Sequence, residues 1–138
     1  MSPLSNPEKL FWVNLLIYVE QEVKHNPRGF NIKNKSLTQF CRENGIAIEP
    51  KEGSKQLPAL NPGKDKNTIR FKYHGSTCAA LLIHLRNAFA HFNLNKDTKG
   101  NYELCDKYNG SLTMTGHIKP KLLFQLVEKI KDTRQKQL

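Results

Sequence analysis

Apolar positions fall at helical spacing in three long stretches of the chain and alternate in a fourth. The first helix is expected from Asn6-Pro7, an N-cap followed by proline at the first helical position, to about Lys24. Its inward candidates are Leu10, Val13, Leu16, Ile17 and Val23, and Asn26-Pro27-Arg28-Gly29 stops it. A shorter helix is expected from Ser36, where Ser36-Leu37-Thr38-Gln39 fits a capping box, to Asn44-Gly45. Residues 49–69 hold three prolines, two glycines and several lysines with little periodicity, and read as one long loop.

A central helix is expected from Ser76 or Thr77 to Phe92. Tyr102 to Lys107 and Leu112 to His117 then alternate about Asn109-Gly110, a strong two-residue hairpin signal. That hairpin would oppose Cys105 to Met114 and Leu104 to Thr115. Pro120 opens a last helix with Leu122, Leu123, Leu126, Val127 and Ile130 as its buried stripe, and Thr133 to Leu138 should fray. The pattern predicts a mainly α fold: one domain over residues 1–138, with about four helices and a small β-hairpin (102–117) before the C-terminal helix.

Composition changes this picture little. The 138 residues are 38% apolar and 25% charged, ordinary for a globular domain. Phe11 to Val19 is far short of the ~20 apolar residues of a membrane span, and the first residues lack a secretory-signal layout, so the expected compartment is the cytoplasm. Cys41, Cys78 and Cys105 form no C-x-x-C pair and are expected as small apolar residues. Charge matters more: a net +10 favours phosphate backbones, although the cations are spread along the chain.

The central helix carries the candidate chemistry. On a helical wheel Cys78, Leu81, Leu82, Leu85, Ala88, Phe89 and Phe92 share one arc, the expected core face. The other arc holds His84, Arg86, Asn87 and His91 among Ala79, Ala80, Ile83 and Ala90, with no acid in the stretch. A water-facing helix would carry Lys and Glu there, so that face is expected to be covered, most simply by a second copy across a two-fold axis. Such a donor-rich patch suits phosphate. Histidine serves either proton role in 2′-hydroxyl attack on an RNA phosphodiester, and arginine stabilises the charge that builds in the transition state. No metal and no cofactor is called for. Arg86 and His91 point some 140° apart on an ideal helix, so either Arg86 curls round or two copies combine their residues.

At these residues the sequence resembles the HEPN superfamily of small helical domains, on the string Leu85-Arg86-Asn87-Ala88-Phe89-Ala90-His91. A hairpin and terminal helix after the motif are similar to a small plasmid-type branch of that family. The resemblance implies an all-helical core, a homodimer, and a metal-independent endoribonuclease used as a toxin or in phage defence, with an antitoxin as a further partner. It assigns Arg86 and His91 as catalytic and Asn87 as positioning; His84 is added from the wheel as a substrate-binding residue. The hairpin and the lysine-rich loop depart from the minimal family plan and leave substrate choice open.

Three other readings compete. A non-catalytic RNA- or nucleotide-binding module would bind without cleaving. A structural or partner-binding role would leave Arg86 and His91 merely stitching a dimer; taken singly, Arg86 could instead pair with a carboxylate such as Glu103 or Asp106. A zinc enzyme built on His74, His84, His91 and His117 lacks ligand spacing.

Overall fold

The computed structural model describes residues 3–53, 56–61 and 63–134. Its elements are α1 (Asn6–Tyr18), continued by a π-helical turn over Val19–Val23, α2 (Lys35–Glu43), β1 (Ala47–Lys51), β2 (Thr68–Lys72), α3 (Thr77–Ala90), β3 (Leu94–Lys96), β4 (Tyr102–Tyr108), β5 (Ser111–Ile118) and α4 (Pro120–Asp132). The strands form one five-stranded sheet in the order β1-β2-β5-β4-β3, parallel only between β1 and β2. The expectation of a helical bundle with one hairpin is therefore corrected to an α+β fold. The hairpin is the centre of a sheet, not an appendage.

β1 and β2 lie at the two ends of the stretch expected as a loop. In β2, Ile69 and Phe71 point inward and are fully buried, while Thr68, Arg70 and Lys72 alternate with them. Because β1 and β2 are parallel, the chain must cross from the end of one to the start of the other, which takes a dozen or more residues. That crossover is the long loop. It runs over the sheet face away from the helices, where the Arg70 guanidinium donates to the carbonyls of Pro58 (2.9 Å) and Ala59 (3.5 Å), and Leu57 is buried. In β1 the Ala47 amide donates to Asn67 and the Lys51 carbonyl accepts from Tyr73. Alternate residues face β2, so Pro50 sets its missing N–H on the free edge.

The hairpin turns at Asn109 (φ 50°) and Gly110 (φ 79°), both left-handed as a two-residue turn requires. Its register differs by one from expectation: Cys105 opposes Thr115 and Leu104 opposes Gly116, because a bulge between Asp106 and Lys107 leaves an extra residue on β5. Thr113 fills the irregularity, its hydroxyl donating to the Asp106 carbonyl at 3.0 Å.

The helices pack on the face that presents Ile69, Phe71, Tyr102, Leu104, Met114 and Ile118. α3 lies directly on β2 and β4 through Cys78, Leu81, Leu82, Leu85 and Ala88. In α4, Leu123, Leu126, Val127 and Ile130 are buried as expected, and Leu122 is partly so. α2 begins a residue before Ser36, capped by Asn34 rather than by the expected box. Thr133 and Arg134, expected to fray, are held: Thr133 is buried, its hydroxyl accepts from the Asn31 amide, and Arg134 donates to the Asn26 carbonyl. Residues 135–138 lie outside the described residues.

The inward face of α1 is also corrected. Glu8, Trp12, Leu15, Val19 and Val23 are buried, whereas Leu10, Val13 and Ile17 are exposed and Leu16 is half-buried. α1 is apolar almost all round, so spacing alone does not choose a face. Trp12 decides it: the indole stacks on Phe89 at 5.5 Å and its N–H donates to the Tyr102 hydroxyl at 3.3 Å. Ser5, not Asn6, is the cap, in a reciprocal box with Glu8.

Glu8 closes this junction. Its carboxylate accepts from the Tyr102 hydroxyl, from Lys96 Nζ at 2.7 Å and from the Ser5 amide at 3.1 Å. Burial alone would raise its pKa, but the bonds from Lys96, Tyr102 and Ser5 together win and lower it from 4.5 to about 2. A carboxyl depressed on folding stabilises fully above its unfolded pKa and loses that contribution as pH falls through the folded value. Glu8→Gln should cost about 2–3 kcal/mol at neutral pH and flatten the loss of stability between pH 4.5 and 2. Urea unfolding across that range checks it; parallel stability curves for the two proteins would refute the assignment.

Candidate functional site

α3 is capped by Ser76, whose hydroxyl accepts from the Ala79 amide at 3.2 Å, and buries its apolar face on the sheet. The second face, expected to be covered, is half-buried: His84, Arg86 and Asn87 are all partly shielded within one chain. What shields them is the π-helical turn after α1 and the edge of β4.

At the centre of the cluster is Asp106, nearly fully buried on the inner face of β4. One of its oxygens, Oδ2, takes bonds from both α3 partners: His84 Nδ1 at 2.8 Å and Asn87 Nδ2 at 3.1 Å. His84 Nε2 lies 2.7 Å from the Lys72 carbonyl. Both partners of the ring are acceptors, so both contacts are satisfied only when each nitrogen carries a hydrogen. His84 is thus held by its own chain, a structural tie between α3 and the sheet.

The Arg86 guanidinium is held within the chain by Asn87 and Glu20. Its Nη1 donates to Asn87 Oδ1 at 2.7 Å and its Nη2 to the Glu20 carboxylate, while the buried Nε has no partner among the described residues. The Arg86 partner is neither Glu103, which sits on the other sheet face, nor Asp106. Glu20 was not foreseen; the π-helical turn places it there, and Lys24 at 3.0 Å, then Arg86, hold its carboxyl below the ordinary range. The cluster consequently contains two carboxylates, against the expectation of a patch free of acids.

His91 stands apart from this network. α3 ends at Ala90 with His91 as the exposed C-cap, and the His91 amide donates to the Asn87 carbonyl at 2.9 Å. Asn87 therefore lies one turn before His91 on the same strip of helix and also holds the Arg86 guanidinium. Among the described residues no group of three or more His, Cys, Asp or Glu side chains has the arrangement of a metal site, and no helix is long and apolar enough to cross a membrane.

The end of α3 is a Schellman motif: the Asn93 amide donates to Ala88 (2.8 Å) and the Phe92 amide to Phe89 (3.2 Å). The position that this motif normally gives to glycine is occupied by Phe92, at φ 61°. The expected core role of Phe92 is overturned, since its ring is 91% exposed. No protein-family model, no curated protein and no solved structure matches the chain.

A bulky residue in the left-handed region gains nothing from packing here. Phe92→Gly should raise stability by about 0.5–1 kcal/mol. A thermal or urea midpoint equal to or below wild type would show that the exposed ring contributes to the fold.

Proposed function

We propose that the chain is a metal-independent endoribonuclease whose site is built on the last turns of α3. The observation that carries this reading is the linkage through Asn87. It fixes the Arg86 guanidinium by its side chain and stands one turn before an exposed His91. A permanent cation and a solvent-accessible imidazole are thereby brought onto one stretch of helix surface. In the reaction the substrate 2′-hydroxyl loses its proton to an imidazole as O2′ bonds to phosphorus. The P–O5′ bond breaks, and the 5′-oxygen takes a proton from a second imidazole, leaving a 2′,3′-cyclic phosphate and a free 5′-hydroxyl. Arg86 neutralises the charge on the phosphorane. Glu20, whose side chain is 40% exposed, holds the guanidinium in readiness and yields its place to the phosphate.

One chain has only one His91, and a second copy supplies the other. The exposed residues Leu10, Val13 and Ile17 recur at helical spacing along α1, and that stripe leads on to Glu20. A two-fold contact there sets two sites side by side. The motif-level resemblance to the HEPN superfamily fits this reading. It rests on Arg86, Asn87 and His91 alone, since the helical bundle implied by the same resemblance is not the fold. Toxin or defence use, with an antitoxin as partner, belongs to the same proposal.

A second reading, RNA binding without turnover, is favoured by the ion pair that already occupies Arg86. The two separate cleanly. In EDTA the wild-type protein should cleave RNA to 2′,3′-cyclic phosphate ends, and Arg86→Ala and His91→Ala should each lower the rate by about 10²–10⁴-fold while remaining folded. Salt-sensitive binding with no cyclic-phosphate product would leave the binding module. Replacing Val13 and Ile17 by Glu should convert a dimer, measured by sedimentation, to a monomer of sharply reduced activity; full activity in a monomer would remove the second copy from the site.

A further inference from the structure

The sheet face opposite the helices carries a pocket of about 240 Å³, lined by Leu60 of the crossover loop, Asn93, Asn95, Glu103, Thr115 and His117. Strand register explains the grouping. Glu103 and His117 are cross-strand neighbours on β4 and β5, Asn95 pairs with Glu103 from β3, and Thr115 follows along β5 on the same face.

His117 is the most informative of these residues. It is 8% exposed, and its Nε2 lies 2.8 Å from Asp97 Oδ2. A carboxylate only accepts, so Nε2 carries the hydrogen. Asp97 is itself tied to the Asn101 amide at 2.9 Å and the Lys99 amide at 2.8 Å, which fixes the ring. The other nitrogen, Nδ1, is buried with no partner among the described residues. Leaving a buried polar nitrogen unpaired is costly unless something else binds it.

The pocket is smaller than the roughly 300–1,000 Å³ typical of drug-sized ligands, and suits one ring system. Its position is equally specific. Asn93 follows His91 and Phe92 directly, so the chain leaves the exposed histidine, presents an exposed aromatic ring and enters the pocket wall within three residues.

We propose that this pocket recognises a guanine base of a single-stranded RNA, with Phe92 as the platform on which the flanking base stacks. Guanine presents two adjacent donors, N1–H and the 2-amino group, and the acceptor-only Glu103 carboxylate pairs with both. Adenine and cytosine offer one donor beside an acceptor, and uracil sets its single N–H between two carbonyls. Asn93 and Asn95 amides meet the O6 and N7 acceptors, and the His117 ring, fixed by Asp97, forms part of the wall. Unstacked bases read on their edges and stacked on aromatic side chains are the usual route to sequence-specific RNA recognition. The proposal rests on the RNA reading above and gives it a specificity: cleavage next to a guanosine.

Binding of the four 5′-nucleoside monophosphates to the full chain, followed by amide chemical shifts, tests the pocket without any turnover. Guanosine monophosphate should bind at least about tenfold tighter than the others. Glu103→Gln, an exposed substitution, should erase that preference, and Phe92→Gly should weaken binding of a guanosine-containing dinucleotide more than of the mononucleotide. Arg86→Ala should leave the preference intact. Guanosine selectivity in a protein that cleaves nothing would keep the pocket and remove the ribonuclease. The pocket proposal is overturned by a wild type that binds all four alike or none, or by a Glu103→Gln protein that keeps its preference.

Discussion

The buried carboxylate of Asp106 ties α3 to the sheet. Asp106 sits on the inner face of β4, on the same side as buried Leu104 and Tyr102, and a charge there is tolerated only with donors pointed at it. α3 supplies them from His84 and Asn87, which fixes the rotation of that helix about its axis. Asn87, held by its amide nitrogen, then turns its oxygen to Arg86, and Arg86 reaches Glu20 on the π-helical turn. β4, α3 and α1 are thus joined through one polar chain. The main chain of Asp106 is pinned as well, since its carbonyl accepts from Thr113 at the bulge. The geometry of the candidate site is set by the sheet rather than by the helix that carries it.

Those parts of the fold that depend on local chemistry were legible in the sequence. Ser76 and the apolar arc of α3, the Asn109-Gly110 turn, and Pro120 with the stripe of α4 each declare themselves within a few residues. What depended on distant partners was not. β1 contains Glu49 and Pro50 and becomes a strand only because β2 lies beside it; β3 has three residues. β2 did offer a two-residue alternation, Ile69 and Phe71 against Arg70 and Lys72, hidden in a stretch dominated by loop residues. The inward face of α1 was undecidable from spacing in a helix apolar all round, and the one-residue register error followed from a bulge that leaves no mark in sequence. Of the candidate site, Arg86, Asn87 and His84 do come together and His91 stays at the rim. Glu20 was invisible because its placement depends on a π-turn.

Two polar clusters on opposite faces of the molecule are connected by one short segment. The helix side holds the Arg86 cluster; the other side, crossed by the loop of the parallel pair, holds the Glu103–His117 pocket. His91, Phe92 and Asn93 pass from one to the other within the Schellman turn that ends α3. That turn fixes the spacing between the α3 cluster and the pocket wall, and Phe92 takes its left-handed position.

The edges of the sheet have a consequence of a different kind. An open strand edge is a template on which another copy can add a strand, and so on without limit. Here one edge is the three-residue β3, and the other presents Pro50, which has no N–H to offer an incoming strand. Both features disfavour growth by strand addition.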